Sequence, residues 1–209
     1  MISLIHPSRS RPQKSFETIS KWVERSFHKN FEVIRSLDID DPDLKKYEPG
    51  RLGTYRAIVN ENKSAIEAIN KAARVAHGDI LIVVSDDTDC PPMWDQIILS
   101  ATEGKKDFVL KTFDGIQKRI VTMPIMDRAY YNRFGYIYHP IYRHSWADTE
   151  LTDVAEKLGR LIVRNDIKFP HLHPEVTKEP KDALYLRNDK THDEDRHIYQ
   201  EWKRINFGL

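Results

Sequence analysis

The chain has 209 residues, 40% of them apolar and 31% charged, with 33 basic against 32 acidic side chains. That content supports one substantial globular core, and the near-cancelled charge excludes the overall basic field that drives nonspecific nucleic-acid binding. No apolar run approaches the ~18 residues needed to cross a bilayer, and the start of the chain reaches His6 and Pro7 without a basic leader and long apolar stretch. The expectation is a soluble, unexported, cytoplasmic protein. Cys90 is the only cysteine, so no internal disulfide can form and a reducing compartment fits. Its acidic neighbours raise a thiol pKa, which argues against a nucleophile.

In chain order, Ile2 to Ile5 predicts a short strand and HPSRSRP a loop. SFETISKWVERSF then places Phe16, Ile19, Trp22, Val23 and Phe27 at helical spacing. Phe31 to Leu37 predicts the next strand, ended by DIDDPD. Between Pro42 and Tyr55 periodicity is weak, and a loop with at most a short helix is expected. From Asn62, KSAIEAINKAARVAHG sets Ile66, Ile69, Ala73 and Ala76 along one helical face, ends in Gly78 and runs into ILIVV. Near-continuous apolar strands alternating with helices predict an α/β fold with a mostly parallel sheet covered on both faces. Ligands of such sheets bind beyond the carboxyl ends of the strands, which singles out HPSRSRP, DIDDPD and SDDTD. One loop offers basic side chains and two offer carboxylates, a set suited to a phosphate-bearing ligand held through a divalent metal.

The stretch GDILIVVSDDTDCPPMWD, Gly78 to Asp95, runs an apolar strand into Asp86, Asp87 and Asp89. Gathered like charges call for a cation; the competing explanation is a solvated acidic turn that caps the next helix. In KFPHLHPE, His171 and His173 project to one side of an extended segment, so one can reach a metal, and the missing thiolates argue against zinc. AYYNRFGYIYHPIYRHSW, residues 129–146, reads either as a packed β-ribbon or as exposed rings that stack on a sugar or a nucleobase. In the charged tail, Ile198, Trp202 and Ile205 predict a short amphipathic helix, with Phe207 closing its apolar face, docked across the core or a second subunit.

ENKSAIEAINKAARVAHGDILIVVSDDTDCPPMWD resembles the nucleotide-binding half of GT-A glycosyltransferases of the family-2 type. TMPIMDRAYYNRFGYIYHPIYRHSWADTELTDVAEKLG is similar to their acceptor-side region, which ends at an acidic helix start, and HLHP at 171–174 resembles the histidine that completes their metal site. The resemblance implies a GT-A domain over 1–175, with a nucleotide-binding half (1–100) and a small acceptor-side half (101–175). A charged extension, 176–209, follows. It further implies Mn2+ or Mg2+ on Asp87, with Asp89 as substitute and His173, or second His171, as partner. Asp86 would face the ribose or the metal's waters. His6, Ser8, Arg9 and Arg11 would lie along the nucleotide, Asp38 or else Asp40 would read the base, and Asn70 would touch the nucleotide. Asp148 matches the general base, with Glu150 as fallback. Each of these residues also has a plainer explanation: surface charge for the arginines, strand termination for Asp38, an ordinary helix position for Asn70, an N-cap for Asp148.

The implied activity is metal-dependent, inverting transfer of a sugar from a nucleotide diphosphate-sugar, a UDP-sugar by preference, to a hydroxyl acceptor. The acceptor is a saccharide or, as in small phage enzymes of this kind, a modified nucleic-acid base. Ser85 and Ala147 stand where relatives carry acidic residues. Those departures keep a non-catalytic nucleotide-sugar-binding module in play. A Mg-dependent nucleotidyltransferase is the other rival, and HPSRSRP lacks the glycine its activating loop wants.

Overall fold

The computed structural model describes residues 1–47, 55–173, 177, 178, 180 and 182–209. The first half lays down β1 (Ile2–Ser8), α1 (Pro12–Arg25), β2 (Phe31–Asp38), β3 (Tyr55–Asn60), α2 (Ala65–Arg74), β4 (Ile80–Val83) and α3 (Trp94–Ala101). The second half adds β5 (Val109–Phe113), β6 (Ile125–Asp127), α4 (Arg128–Phe134), α5 (Ala147–Lys157), β7 (Leu161–Lys168), α6 (Ala183–Asp189) and α7 (His192–Arg204). The strands form one sheet in the order β3-β2-β1-β4-β6-β5-β7, in which only β6 runs antiparallel to its neighbours. The carboxyl ends of the other six strands therefore share one edge.

Two apolar layers sandwich this sheet. Ile2, Leu4, Val33, Ile82 and Leu110 pack against Ile19 and Trp22 of α1 and Trp94 and Ile98 of α3. Ile5, Ile34, Leu81, Val83 and Met126 pack on the opposite face, against Ile66 and Ile69 of α2, Leu151 and Val154 of α5, and Tyr199 and Phe207 of the tail. Local chemistry sets the boundaries. Pro12 opens α1, where a missing N–H costs nothing. Ser64 caps α2 by accepting from Glu67 N at 3.1 Å, and Asp127 caps α4 by accepting from Tyr130 N at 2.9 Å. Gly78 lets α2 turn into β4 against β1; a Cβ there would lie 2.5 Å from Ser3 Oγ and 2.6 Å from Ser3 N.

Several expectations need correction. β1 continues to Ser8, so His6 and Ser8 are strand residues and the basic loop starts at Arg9. Tyr55–Asn60 forms an edge strand that weak periodicity concealed, because both its faces are partly exposed. Of the loop expected over 42–55, residues 48–54 lie outside the described residues; a 3-10 turn spans Leu44–Lys46. The aromatic stretch 129–146 is helix α4 followed by an irregular loop, not a β-ribbon. The tail carries a second helix, α6, and Ile205 is exposed while Tyr199 takes the buried place. The expected boundary at 175 falls outside the described residues. No helix among the described residues is long and apolar enough to cross a membrane.

Candidate active site

α1 fixes the backbone of the acidic loop. Its residues 18, 22 and 25 lie on one helical face. Thr18 Oγ1 donates to Asp86 O at 2.7 Å, Trp22 Nε1 donates to Thr88 O at 3.0 Å, and Arg25 reaches Asp89 Oδ1 at 2.8 Å and Cys90 O. Across the loop, Leu172 N donates to Asp87 O at 2.7 Å and Asp89 N donates to Pro170 O at 2.8 Å, so residues 170–172 lie alongside as a short extended rung.

The three carboxylates diverge as a result. Asp86 turns inward, accepting from Ser8 Oγ at 3.1 Å and lying 3.3 Å from His6 Nε2. Asp89 turns toward α1, held by Arg25 with Lys21 at 4.0 Å, and so is corrected from its expected place as substitute metal ligand. Asp87 faces the edge. Its Oδ2 lies 3.4 Å from His171 Nε2 and accepts from the Tyr185 hydroxyl, while Oδ1 is buried without a hydrogen-bond partner among the described residues. Burial works to raise the Asp87 pKa, but His171 and Tyr185 outweigh it and hold the carboxyl well below the usual range. Burial likewise opposes protonation of His171, and Asp87 overrides it, raising the imidazole.

Of the two histidines, His171 stands beside Asp87, while His173 packs edge-on against His171 and Tyr185 with centroids at 5.4 and 5.3 Å. His6 is 0% exposed, with one ring nitrogen 2.7 Å from Val84 O and the other 2.9 Å from Ser15 Oγ. It ties β1 to the backbone just after β4 and to α1 from beneath the edge. Asn70 is also corrected. It is 3% exposed; its Nδ2 donates to Tyr138 O at 2.7 Å and its Oδ1 accepts from Ile137 N at 3.0 Å, so its amide staples the loop after α4.

On the basic side, Arg9 pairs with Asp38 at 2.7 Å and with exposed Asp40, and Asn62 Nδ2 donates to Asp38 Oδ1 at 2.8 Å. Tyr47 closes this corner, its hydroxyl 3.0 Å from Ser8 Oγ and accepting from Arg11 N at 3.1 Å. The Arg11 guanidinium makes a two-pronged contact with Asp182, 2.7 and 2.8 Å, and lies 4.6 Å over the Tyr185 ring. The tail thus touches both Arg11 and Asp87.

Asp148 lies in the first turn of α5, after Trp146 takes a left-handed conformation (φ 64°) at the N-cap position. Thr149 N donates to Asp148 Oδ1 at 2.7 Å, and no donor among the described residues reaches Oδ2. Partial burial pushes its pKa up, the direction that strengthens a base. Glu150, two residues on, projects to the other side of the helix. It lines a cavity with Tyr130, Phe134, His139 and Phe207, and burial pushes its carboxyl to about 7. That placement corrects its standing as a fallback base, because it faces the tail rather than the sheet edge.

The structure adds residues that sequence reasoning missed. Asp114 directly follows β5 and is 4% exposed. It follows the apolar run FVLKTF, so the strand-end rule applied beyond the first three strands would have found it. Asp195 of α7 is fully buried and accepts from Arg143 N, His144 N and Ser145 N at 2.9 to 3.0 Å, shaping the approach to Asp148. Asp182 and Tyr185 carried no sequence signal beyond a charged tail.

Asp87 and His171 fit a hard divalent cation. One buried carboxylate oxygen lacks a partner, an imidazole adjoins it, and Mg2+ or Mn2+ commonly takes one or two protein ligands and completes its shell with phosphate and water. No three His, Cys, Asp or Glu groups among the described residues converge into a fuller metal cage.

An open α/β sheet of this order, with carboxylates and arginines collected at one edge, defines a nucleotide-binding fold of the GT-A kind. Residues 16–157 match the model of glycosyl transferase family 2, and the chain belongs to that family. Solved structures share the fold. S. aureus TarS aligns with a TM-score of 0.67 at 16% identity over 83% of this chain and 37% of that one. TarS 1-349 in complex with UDP gives 0.66 at 17% identity over 100% and 72%. A mannosyltransferase from Pyrobaculum calidifontis in complex with GDP-Man and Mn2+ gives 0.65 at 11% identity over 91% and 69%. The chain spans little more than a third of the longest TarS structure and 61% of a shorter one. No curated protein matches it significantly in sequence.

Proposed function

We propose that the chain is a metal-dependent, inverting glycosyltransferase that moves a sugar from a nucleotide diphosphate-sugar to an acceptor hydroxyl. A UDP-sugar is the preferred donor and a saccharide, or else a modified nucleic-acid base, the acceptor. One observation carries the reading: Asp87 with its unpartnered oxygen, His171 and Arg11 gather on the same sheet edge that α5 lines with Asp148. The UDP seen in one TarS structure supports the donor preference, and the Mn2+ in the mannosyltransferase supports the metal.

In this reading Asp38 reads the base, Arg9 and Ser8 flank the nucleoside, and Arg11 takes the diphosphate with a two-pronged contact that suits phosphate oxygens. Asp87 and His171 would hold Mn2+ or Mg2+, which when bound supplies neutralisation of the diphosphate's charge as it departs. Asp148 accepts the acceptor's hydroxyl proton on its open Oδ2 while the oxygen attacks the anomeric carbon. The carbon–oxygen bond to the diphosphate breaks on the opposite face, its electron pair leaves with the phosphate, and configuration inverts. Base assistance contributes about 10²- to 10⁴-fold.

The test is a melting-temperature screen of UDP, GDP and their sugars with and without Mn2+, followed by kinetics of Asp148→Asn. UDP-sugars should stabilise the protein only with metal, and Asp148→Asn should lose at least ~10²-fold in kcat with donor Kd within about twofold. No stabilisation by any nucleotide would overturn the reading. Near-normal turnover in the variant would remove Asp148 from the chemistry, and binding without transfer in the unaltered protein would favour a non-catalytic module.

A further inference from the structure

Asp114 has a divided carboxylate. Oδ1 accepts from Ile116 N at 2.7 Å and Gln117 N at 2.6 Å, closing the turn that follows β5. Oδ2 is buried and has no hydrogen-bond partner among the described residues. A buried, unpaired carboxylate oxygen is costly to keep, so a turn-forming role alone does not account for it.

Its position narrows what could satisfy it. His171 N donates to Asp114 O at 2.8 Å, and Leu172 N donates to Asp87 O at 2.7 Å. The extended rung at 171–172 therefore has the backbone of Asp87 on one side and that of Asp114 on the other. Among the described residues Asp114 does not join Asp87 and His171 in a three-ligand cluster. Asp148 lies within electrostatic reach of Asp114, whose charge helps to raise it. Asp114 thus borders both the diphosphate end and the base end of the site.

Inverting displacement demands that leaving group and base act on opposite faces of the anomeric carbon. The transferred ring must then lie between Asp87 and Asp148, in the space Asp114 borders. We propose that Asp114 Oδ2 accepts a hydrogen bond from a ring hydroxyl of the donor's sugar and so selects which sugar is transferred. A hydroxyl is the matching ligand because it donates without bringing a second negative charge. This inference rests on the glycosyltransferase reading above.

Asp114→Asn keeps an oxygen for the turn and removes the charge from the other position. The probes are UDP, the nucleotide-sugar that stabilises best in the melting screen, and that sugar's monodeoxy analogues, each titrated calorimetrically with Mn2+ and no acceptor. In the unaltered protein one deoxy analogue should bind at least ~10-fold more weakly than the parent, the range of a hydrogen bond to a charged group. In Asp114→Asn the same penalty should shrink at least fivefold, with UDP affinity and melting temperature unchanged. Identical deoxy penalties in both proteins would overturn the proposal, as would an unchanged donor profile with a raised acceptor KM, which would move Asp114 to the acceptor side. Should Asp114→Asn lose its fold, Asp114→Glu replaces it: retained folding with an unshifted sugar preference would also overturn it. Failure of the unaltered protein to bind UDP or any nucleotide-sugar would instead sink the function on which it rests.

Discussion

Replacing Asp182 by Asn should tighten nucleotide binding. Arg11 donates to both Asp182 oxygens, at 2.7 and 2.8 Å, and a diphosphate arriving at Arg11 would meet that carboxylate as a like charge. Donor binding therefore includes the cost of parting Arg11 from Asp182. The Arg11 side chain is 11% exposed and that of Asp182 43%, so solvent screens one partner substantially. A two-pronged pair of this kind contributes ~1 kcal/mol after that discount, which converts to about fivefold in Kd. Asn preserves the local structure, because Asp182 Oδ1 also accepts from Leu184 N and Tyr185 N at 3.1 Å at the start of α6, and an amide oxygen does this equally well. Calorimetric titration of UDP with Mn2+ should give a Kd about fivefold lower in Asp182→Asn, with the gap narrowing at high salt. An unchanged or weaker affinity refutes the competition: either Arg11 does not take the diphosphate, or Asp182 stays in place when the donor binds.

Glu150 gives a pH signature. Below its ordinary 4.5 the carboxyl is protonated folded and unfolded alike, whereas between 4.5 and about 7 the unfolded chain releases a proton that the folded one keeps, so stability is lost across that window. At 1.36 kcal/mol per pH unit the loss comes to ~3 kcal/mol, and Glu150→Gln should recover it at pH 8, raising Tm by about 6–12 °C, with little effect near pH 4.5. Equal gains at both pH values would show that ionisation is not the cause. Asn70→Ala should cost ~2–4 kcal/mol in urea unfolding, since Ile137 N, Tyr138 N and Tyr138 O are left without their partner. UDP affinity should stay within about twofold in the same variant, and a loss of binding at intact stability would return Asn70 to the nucleotide edge.

The sheet was legible because the apolar run ILIVV and Ile19 and Trp22 of SFETISKWVERSF carry their periods in the sequence, although Phe16 and Phe27, expected on the same helical face, are exposed and Phe27 lies beyond α1. The edge strand Tyr55–Asn60 was not, since a strand half exposed on both faces has no alternation to detect. Within SDDTD the sequence raised the expectation of a cation-binding carboxylate but could not say which of the three side chains would face the sheet edge. That choice is made by α1, whose Arg25 draws Asp89 away while His6 and Ser8 turn Asp86 inward, leaving Asp87 to the edge. His171 took precedence over His173 for a similar reason: rung 170–172 is registered by backbone bonds to Asp87, Asp89 and Asp114, which no side-chain pattern encodes. That Asn70 and His6 are buried and bonded to distant partners could not be read from sequence, because such a polar side chain looks there identical to one that faces a ligand.

The tail divides into two parts by how firmly each is held. α7 is anchored by Asp195, fully buried under three backbone donors, by Asp153 accepting from the Tyr199 hydroxyl at 2.6 Å and Lys203 at 3.0 Å, and by Tyr199 and Phe207 in the core. α6 is held at its start by the Asp182 pair, worth ~1 kcal/mol, and by the Tyr185 contact to Asp87. Burial of Tyr199 and Phe207 alone contributes a few kcal/mol to holding α7, so on the proposed function a donor that competed for Arg11 and Asp87 would act on the start of α6 rather than on α7. The loop that leads to Asp148 is held by Asp195 of α7, outside α6. On the proposed function, donor entry and the positioning of Asp148 would therefore draw on different parts of one short tail.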